Sequence, residues 1–175
     1  MSLRLETSVE VRASAGAVWA RLTDWASQSD WIPLTTVTVV TPTDEGDAAP
    51  MRRVEGLGVH VRALSGFQVG PLPVGLLDRF VVTGWTPPAE TDAGVAGRSP
   101  VGELEVLHLG PYFTGPGVFR VEWLGPVLTR VTCTEVFDIP GGRPVEAAAS
   151  LLLPVMRFGL RRSLRKLGRL LESER

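Results

Sequence analysis

Glu135 is the residue of this sequence best placed for acid–base chemistry. It lies in the segment TRVTCTEVFDI, which has the alternation of a β-strand, so every second residue shares one face. The face that includes Glu135 is otherwise apolar, and its other members are Val131, Cys133 and Phe137. A carboxyl group in apolar surroundings has a raised pKa and can serve as a general acid or base. The alternatives are that a β-bulge exposes Glu135 or that its side chain caps a backbone donor.

His108 is the second candidate, on the uncharged face of the segment GELEVLHL. If neighbouring strands pair across GPYFTGPG and LGPVL, His108 lies beside Phe119 and Phe119 beside Cys133, with Glu135 one pair further along. His108 and Glu135 would then be two strands apart, about 9–10 Å, and would face one ligand without touching. The alternative is a histidine at the sheet rim, since no orienting partner is visible. Cys133 is interpreted as an inert core thiol because no base or helix terminus lies beside it.

Other constellations that support catalysis are missing. The sequence has no phosphate-binding glycine loop, no HExxH zinc motif and no GxSxG nucleophile elbow. His60 and His108 are its only histidines and Cys133 is its only cysteine, so we predict no metal site and no cofactor. Any activity must come from isolated polar groups in an apolar pocket. The catalytic residues remain unassigned, with Glu135 and His108 as candidates.

Length and charge restrict the class of protein. A chain of 175 residues fits one domain, spanning 1–175, and leaves no room for a second. Eighteen basic and nineteen acidic residues give a formal charge of −1, so no overall field attracts nucleic acid. The amino end MSLRLETSVEVR lacks the apolar segment of a secretory signal, and a single cysteine fits a reducing compartment. We therefore expect a soluble, cytoplasmic protein.

The chain begins with a strand and then two short helices that carry three of its five tryptophans. LRLETSVEV alternates apolar and charged residues, as expected of a half-buried antiparallel strand. The spacing of six between Trp19, Trp25 and Trp31 spreads the rings around a single straight helix, which favours two helices. Ser14 is predicted to cap the first and Asp24 the second, which ends before Pro33.

Six further strand-like segments follow without an intervening helix, which predicts an antiparallel meander of about seven strands. After PGGRP the apolar period changes to three or four, so 145–171 is predicted as one long amphipathic helix. Pro154 predicts either a kink or a true helix start near Leu153. The basic residues of this helix are interpreted as a solvated face, so no stable membrane binding is expected.

The order of these elements resembles the START-like superfamily, also called SRPBCC, and within it the polyketide cyclase/dehydrase-like small bacterial proteins. The similarity is carried by VEVRASAGAVWARLTDWASQSDWIP, TRVTCTEVFDIP and LRRSLRKLGRLL. It implies an α+β helix-grip fold, in which a curved antiparallel sheet holds the long carboxyl-terminal helix around an apolar cavity. The tryptophan-bearing helices would then plug one end of the sheet beside that cavity.

The resemblance and the strand parity together predict which residues contact a ligand. The set comprises inward strand residues, one tryptophan and three residues of the last helix: Trp31, His108, Phe119, Val121, Cys133, Glu135, Leu152, Met156 and Leu160.

We expect such a cavity to bind or transport a small hydrophobic molecule, such as a lipid or a polyketide-like compound. The alternative is a polyketide cyclase or aromatase that uses an interior carboxylate as acid or base. A partner-binding, chaperone-like domain is a third reading, by fold analogy alone. The oligomeric state is left open.

Overall fold

Seven β-strands form one antiparallel sheet in the computed structural model of this chain, in the order β1-β7-β6-β5-β4-β3-β2. The structure describes residues 2–40, 54–69, 72–89 and 101–174, and for 67–69 and 72–74 only the backbone. The strands are β1 Leu3–Val11, β2 Thr35–Val40, β3 His60–Val69, β4 Leu72–Thr86, β5 Val101–Pro111, β6 Thr114–Gly125 and β7 Leu128–Phe137.

The helices lie between β1 and β2 and after β7. They are α1 Ala15–Thr23, a 3₁₀ turn Trp25–Ser27, α2 Gln28–Trp31, α3 Gly142–Ser150 and α4 Leu153–Ser173. The curved sheet and the long last helix confirm the predicted α+β helix-grip class. Ser14 caps α1 as predicted, since its Oγ accepts a hydrogen bond of 3.2 Å from the backbone N–H of Ala17. Asp24 makes no side-chain cap, because the chain after it begins as a 3₁₀ turn and not as an α-helix.

The three tryptophans of this segment are all buried, and two of them pack against different aromatic rings. Trp19 packs edge-on against Trp85, with ring centroids 5.3 Å apart. Trp25 packs in the same way against Phe80 at 5.8 Å. Trp31 is 1% exposed. Buried aromatic rings of this size contribute much of the apolar area that holds short helices against a sheet.

The prediction of a single helix over 145–171 is wrong, because the chain forms two helices, α3 and α4, which Leu151 and Leu152 separate. Pro154 lies in the first turn of α4, where its missing N–H costs no hydrogen bond. The alternative of a helix start near Leu153 is therefore confirmed.

The two halves of α4 have different surroundings. Leu164, Leu167 and Leu171 are buried in the core, and a Cβ added at Gly168 would lie 3.3 Å from Val11 Cγ2. The first half and the turn before it expose most of their apolar side chains: Leu151, Leu152, Val155, Met156 and Phe158. The apolar face of α4 is therefore buried in the core only in its second half. No described helix is long and apolar enough to cross a membrane.

Some predicted loops are strands in the structure. The glycines and prolines of SGFQVGPLPVG, residues 65–75, predict a loop, but β3 continues through this segment to Val69 and β4 begins at Leu72. The sequence also predicts a turn at TDEGD and a loop at PPAETDAGVAGRSP. The turn and most of this loop lie outside the described residues.

Candidate active site

The side chain of His108 lies between two carboxylates on the inner face of the sheet. Its Nδ1 is 2.9 Å from both carboxylate oxygens of Asp78, and its Nε2 is 3.0 Å from Oε2 of Glu135. The three side chains come from β4, β5 and β7, and each is less than one fifth exposed. We call Asp78, His108 and Glu135 the acid–base cluster.

The contact between His108 and Glu135 corrects two predictions. His108 pairs with Gly115 and not with Phe119, whereas Phe119 does pair with Cys133. The two side chains also touch, although two strand spacings separate their backbones. The reason is that β6, which lies between them, presents glycine to the inner face. A Cβ at Gly117 would lie 2.5 Å from Glu135 Oε2, so the missing side chain is the space through which Glu135 reaches His108.

Asp78 was missed by the sequence analysis, and it is the orienting partner that His108 was thought to lack. It shares the strand parity of Phe80 and Val82, both of which are buried. This parity could have identified Asp78 as a candidate, because a carboxylate on an apolar strand face is unusual. An irregularity in the β4–β5 register between Asp78 and Phe80 places the carboxylate diagonally opposite His108.

Aromatic rings fix the imidazole of His108. Phe80 and Phe113 both pack against it, with ring centroids 5.8 and 5.1 Å away. Phe113 in turn packs edge-on against Phe137 at 5.1 Å. These contacts and the two carboxylates leave the ring little freedom to rotate.

The cluster forms part of the wall of a cavity of about 270 Å³ between the sheet, α2 and the first half of α4. This volume is near the lower end of the range of roughly 300–1,000 Å³ for small-molecule sites. The lining is mostly apolar, and its exposed members Ser65, Leu76 and Met156 mark where it opens to solvent. A groove of about 390 Å³ beside Ser14 and Trp123 is larger, but none of the described residues that line it has a titratable side chain.

Six of the nine predicted ligand-contacting residues line this cavity: Trp31, His108, Phe119, Glu135, Met156 and Leu160. The other three do not. Val121 and Cys133 are fully buried in the hydrophobic core and are not among the residues that line the cavity. Leu152 is 58% exposed because it lies in the turn between α3 and α4, outside the helical face that the prediction assumed.

The acid–base cluster changes the ionisation of His108. Burial by itself lowers the pKa of an imidazole, but the hydrogen bonds and charges of Asp78 and Glu135 outweigh burial and raise the pKa of His108 to about 9. Only the doubly protonated ring can donate from both nitrogens. The cluster therefore contains an imidazolium at neutral pH and has one surplus negative charge.

Cys133 is close to the cluster but is poorly suited to be a nucleophile. Its Sγ lies 3.5 Å from Glu135 Oε1. Complete burial, and then the neighbouring carboxylate, raise the pKa of the Cys133 thiol well above its ordinary value. The reactive thiolate is thereby disfavoured.

The free energy of unfolding is expected to fall as pH rises from about 6.5 to above 9. A raised folded-state pKa gives a stabilisation that is complete below the unfolded pKa of 6.5 and is lost through the folded pKa of about 9. The loss is about 3 kcal/mol if His108 accounts for all of it. Urea unfolding at a series of pH values measures it.

His108→Gln should abolish this dependence of the free energy of unfolding on pH. His60→Gln, which changes the other histidine, should keep it. A free energy of unfolding that stays constant between pH 6.5 and 9 would contradict a protonated cluster.

The arrangement is suited to proton transfer. Glu135 and Asp78 accept protons, and the imidazolium stabilises negative charge that develops nearby. Among the described residues there is no group of three or more His, Cys, Asp or Glu side chains placed to hold a metal ion. In the cluster, both ring nitrogens of His108 already face carboxylates.

Comparisons with known proteins find related structures only. No family model matches the sequence, and no curated protein matches it. ZhuI aromatase/cyclase from Streptomyces sp. R1128 is 19% identical over 98% of this chain and 94% of its own, with a TM-score of 0.64. A START superfamily protein from Mycobacterium smegmatis is 16% identical over 94% of this chain and 98% of its own, with a TM-score of 0.54.

A third similar structure is the di-domain ARO/CYC protein StfQ of the steffimycin biosynthetic pathway. It is 10% identical over 99% of this chain and 52% of its own, with a TM-score of 0.65. At identities this low, the structural similarity shows a common fold and nothing further.

Proposed function

This chain has the START-like (SRPBCC) helix-grip fold, and we propose that it is an acid–base enzyme that cyclises a small hydrophobic carbonyl compound. The observation that supports the proposal is the position of His108, hydrogen-bonded at both nitrogens to carboxylates in the wall of an apolar cavity. A purely apolar ligand would offer these three ionisable groups no partner, and burying them costs free energy. Proton transfer needs such groups.

The proposed reaction is an intramolecular aldol condensation. The carboxylate of Glu135 takes a proton from the carbon next to a ligand carbonyl, and the resulting carbanion attacks a second carbonyl carbon of the same molecule. The new alkoxide takes up a proton, which restores the charge of the cluster. Loss of a second α-proton and of the hydroxyl group then releases one water. The imidazolium of His108 stabilises the negative oxygen while it forms.

A simple diketone tests this proposal. 1-Phenylhexane-1,5-dione closes to 3-phenylcyclohex-2-enone with loss of one water, and the conjugated product is followed by its ultraviolet absorbance. We expect the protein to accelerate closure above the rate in buffer, with an arm of the pH–rate profile near the His108 pKa of about 9. A rate equal to that in buffer from pH 6 to 10 would contradict the enzymatic proposal.

Binding or transport of a hydrophobic molecule is the second candidate function. It is favoured by the lining of the cavity, which combines apolar residues of the sheet with Met156 and Leu160 of α4. In this role the acid–base cluster would orient the ligand without turnover. In both roles the protein acts as one domain of residues 1–175 on a small molecule in the cytoplasm, without nucleic acid, cofactor or stable membrane binding.

Met156→Trp is expected to abolish uptake of a neutral hydrophobic probe. Met156 lies in the cavity wall and is 40% exposed, so an indole at this position can fill much of the 270 Å³ without disturbing the core. The fluorescence of N-phenyl-1-naphthylamine, which rises when the probe leaves water, measures uptake.

Val155→Trp is the matched control, because Val155 is the preceding residue of the helix and is 67% exposed outside the cavity lining. The control should bind the probe like the parent protein. Equal binding by both variants would show that the probe does not enter this cavity.

A further inference from the structure

The acid–base cluster has more negative charge than the described residues neutralise. Two carboxylates face one imidazolium, and the described residues that line the cavity include no lysine or arginine. The side chains of Asp78 and Glu135 are only 18% and 13% exposed. A surplus charge that is so poorly hydrated is costly unless a positive charge comes close to it.

The polar atoms of the cavity are also mostly acceptors. Each carboxylate can accept about four hydrogen bonds. Among the described residues Asp78 accepts only from His108, and Glu135 accepts from His108 and weakly from the thiol of Cys133. Gln28, another lining residue, uses its amide nitrogen on the carbonyl oxygen of Leu22, which leaves its Oε1 as a further acceptor. Around the acid–base cluster the described residues therefore offer more acceptors than donors, whereas elsewhere in the lining the buried indole N–H of Trp31 has no hydrogen-bond partner.

The apolar part of the wall is rich in aromatic rings, which attract cations through their faces. Six aromatic side chains of the described residues line the cavity: Trp25, Trp31, Phe80, Phe113, Phe119 and Phe137.

We propose that the ligand of this cavity is a protonated amine on an apolar body, with its ammonium group neutralising the surplus charge of the acid–base cluster. An ammonium supplies a positive charge and up to three hydrogen-bond donors for the unused acceptor positions of the two carboxylates. A carboxylic acid of the same size would add a second surplus negative charge and is excluded. The inference rests on the function proposed above, since one carboxylate can hold the ammonium while the other remains the base.

Three naphthalene compounds of matched size test the inference: 2-(2-naphthyl)ethylamine, 2-(2-naphthyl)ethanol and 3-(2-naphthyl)propanoic acid. Titration calorimetry at pH 7 gives the affinity of each for the parent protein. We expect the amine to bind at least tenfold more tightly than the alcohol, and the acid to bind more weakly than both.

Variants of the cluster show where the preference comes from. Glu135→Gln and Asp78→Asn each remove one negative charge, so each should reduce the preference for the amine to less than threefold while the alcohol still binds. Glu105→Gln removes the same charge from the opposite face of β5, outside the cavity lining. It should keep the full preference.

Three results would overturn the inference. Equal affinity for the amine and the alcohol would rule out an amine as the preferred ligand, but it would leave the hydrophobic cavity and its proposed function intact. Tighter binding of the acid than of the amine would also rule out the amine and would also leave the proposed function intact. If neither the three compounds nor neutral N-phenyl-1-naphthylamine binds, both the inference and the proposed function are wrong.

Discussion

Glu135→Gln is expected to slow cyclisation of 1-phenylhexane-1,5-dione about a hundredfold or more, while affinity for this neutral diketone changes little. Glutamine keeps the shape of glutamate and still accepts a hydrogen bond from His108 Nε2, which lies 3.0 Å from Oε2 in the parent protein. It cannot take a proton from carbon. Stopped-time product assays give the rate, and displacement of a fluorescent probe gives the affinity.

The control for this change is Glu105→Gln, on the opposite face of β5. It should leave the rate unchanged. If Glu135→Gln keeps the rate within threefold but weakens binding of the diketone, Glu135 orients the ligand, and the binding role becomes the better explanation of the site.

Local sequence signals were enough to predict the elements around the site. Ser14 as a helix cap and the six-residue spacing of the tryptophans depend only on neighbouring residues, and the predicted cap and the break of the helix before Trp25 are present. The strand parity that placed Glu135 and His108 on the inner face was also sufficient, because alternation does not depend on which strand is the neighbour.

The distance between His108 and Glu135 could not be predicted, because it depends on strand register. The segment GPYFTGPG was interpreted as a loop for its glycines and prolines, and this assumption pairs His108 with Phe119. In the structure only Tyr112 and Phe113 connect β5 to β6, so the pairing shifts by four residues to Gly115. Glycine marks loops in most sequences, but within a strand it marks a close approach of another group.

Asp78 illustrates a different limit. Its strand parity was readable, but its contact with His108 depends on the register irregularity between β4 and β5. Such irregularities arise from tertiary packing and redirect a side chain without a reliable local signal. The partner that changes the ionisation of His108 is therefore visible only in the folded chain.

Gly117→Ala is expected to separate Glu135 from His108 without unfolding the protein. The added methyl group would lie 2.5 Å from Glu135 Oε2 and 3.0 Å from its Cδ, which is too close for both to stay in place. Both atoms belong to the end of a flexible side chain, so the carboxylate can move without displacing the backbone. The free energy of unfolding should fall by no more than about 3 kcal/mol, which is what the raised pKa of His108 contributes. When the carboxylate of Glu135 moves away from His108, the pKa of the imidazole should fall from about 9 towards 6.5.

The rate of cyclisation should fall about a hundredfold in this variant, as expected for a catalytic group displaced by about 1 Å. NMR titration of the His108 ring measures the pKa, and thermal unfolding measures stability. Gly125→Ala is the matched control, since Gly125 lies in the same strand and nothing is within 4 Å of a Cβ there. It should leave both the pKa and the rate unchanged. Gly117→Ala could instead fold normally while His108 still titrates near 9. In that case the contact between Glu135 and His108 does not require glycine at position 117, and our explanation of how Glu135 reaches across β6 is wrong.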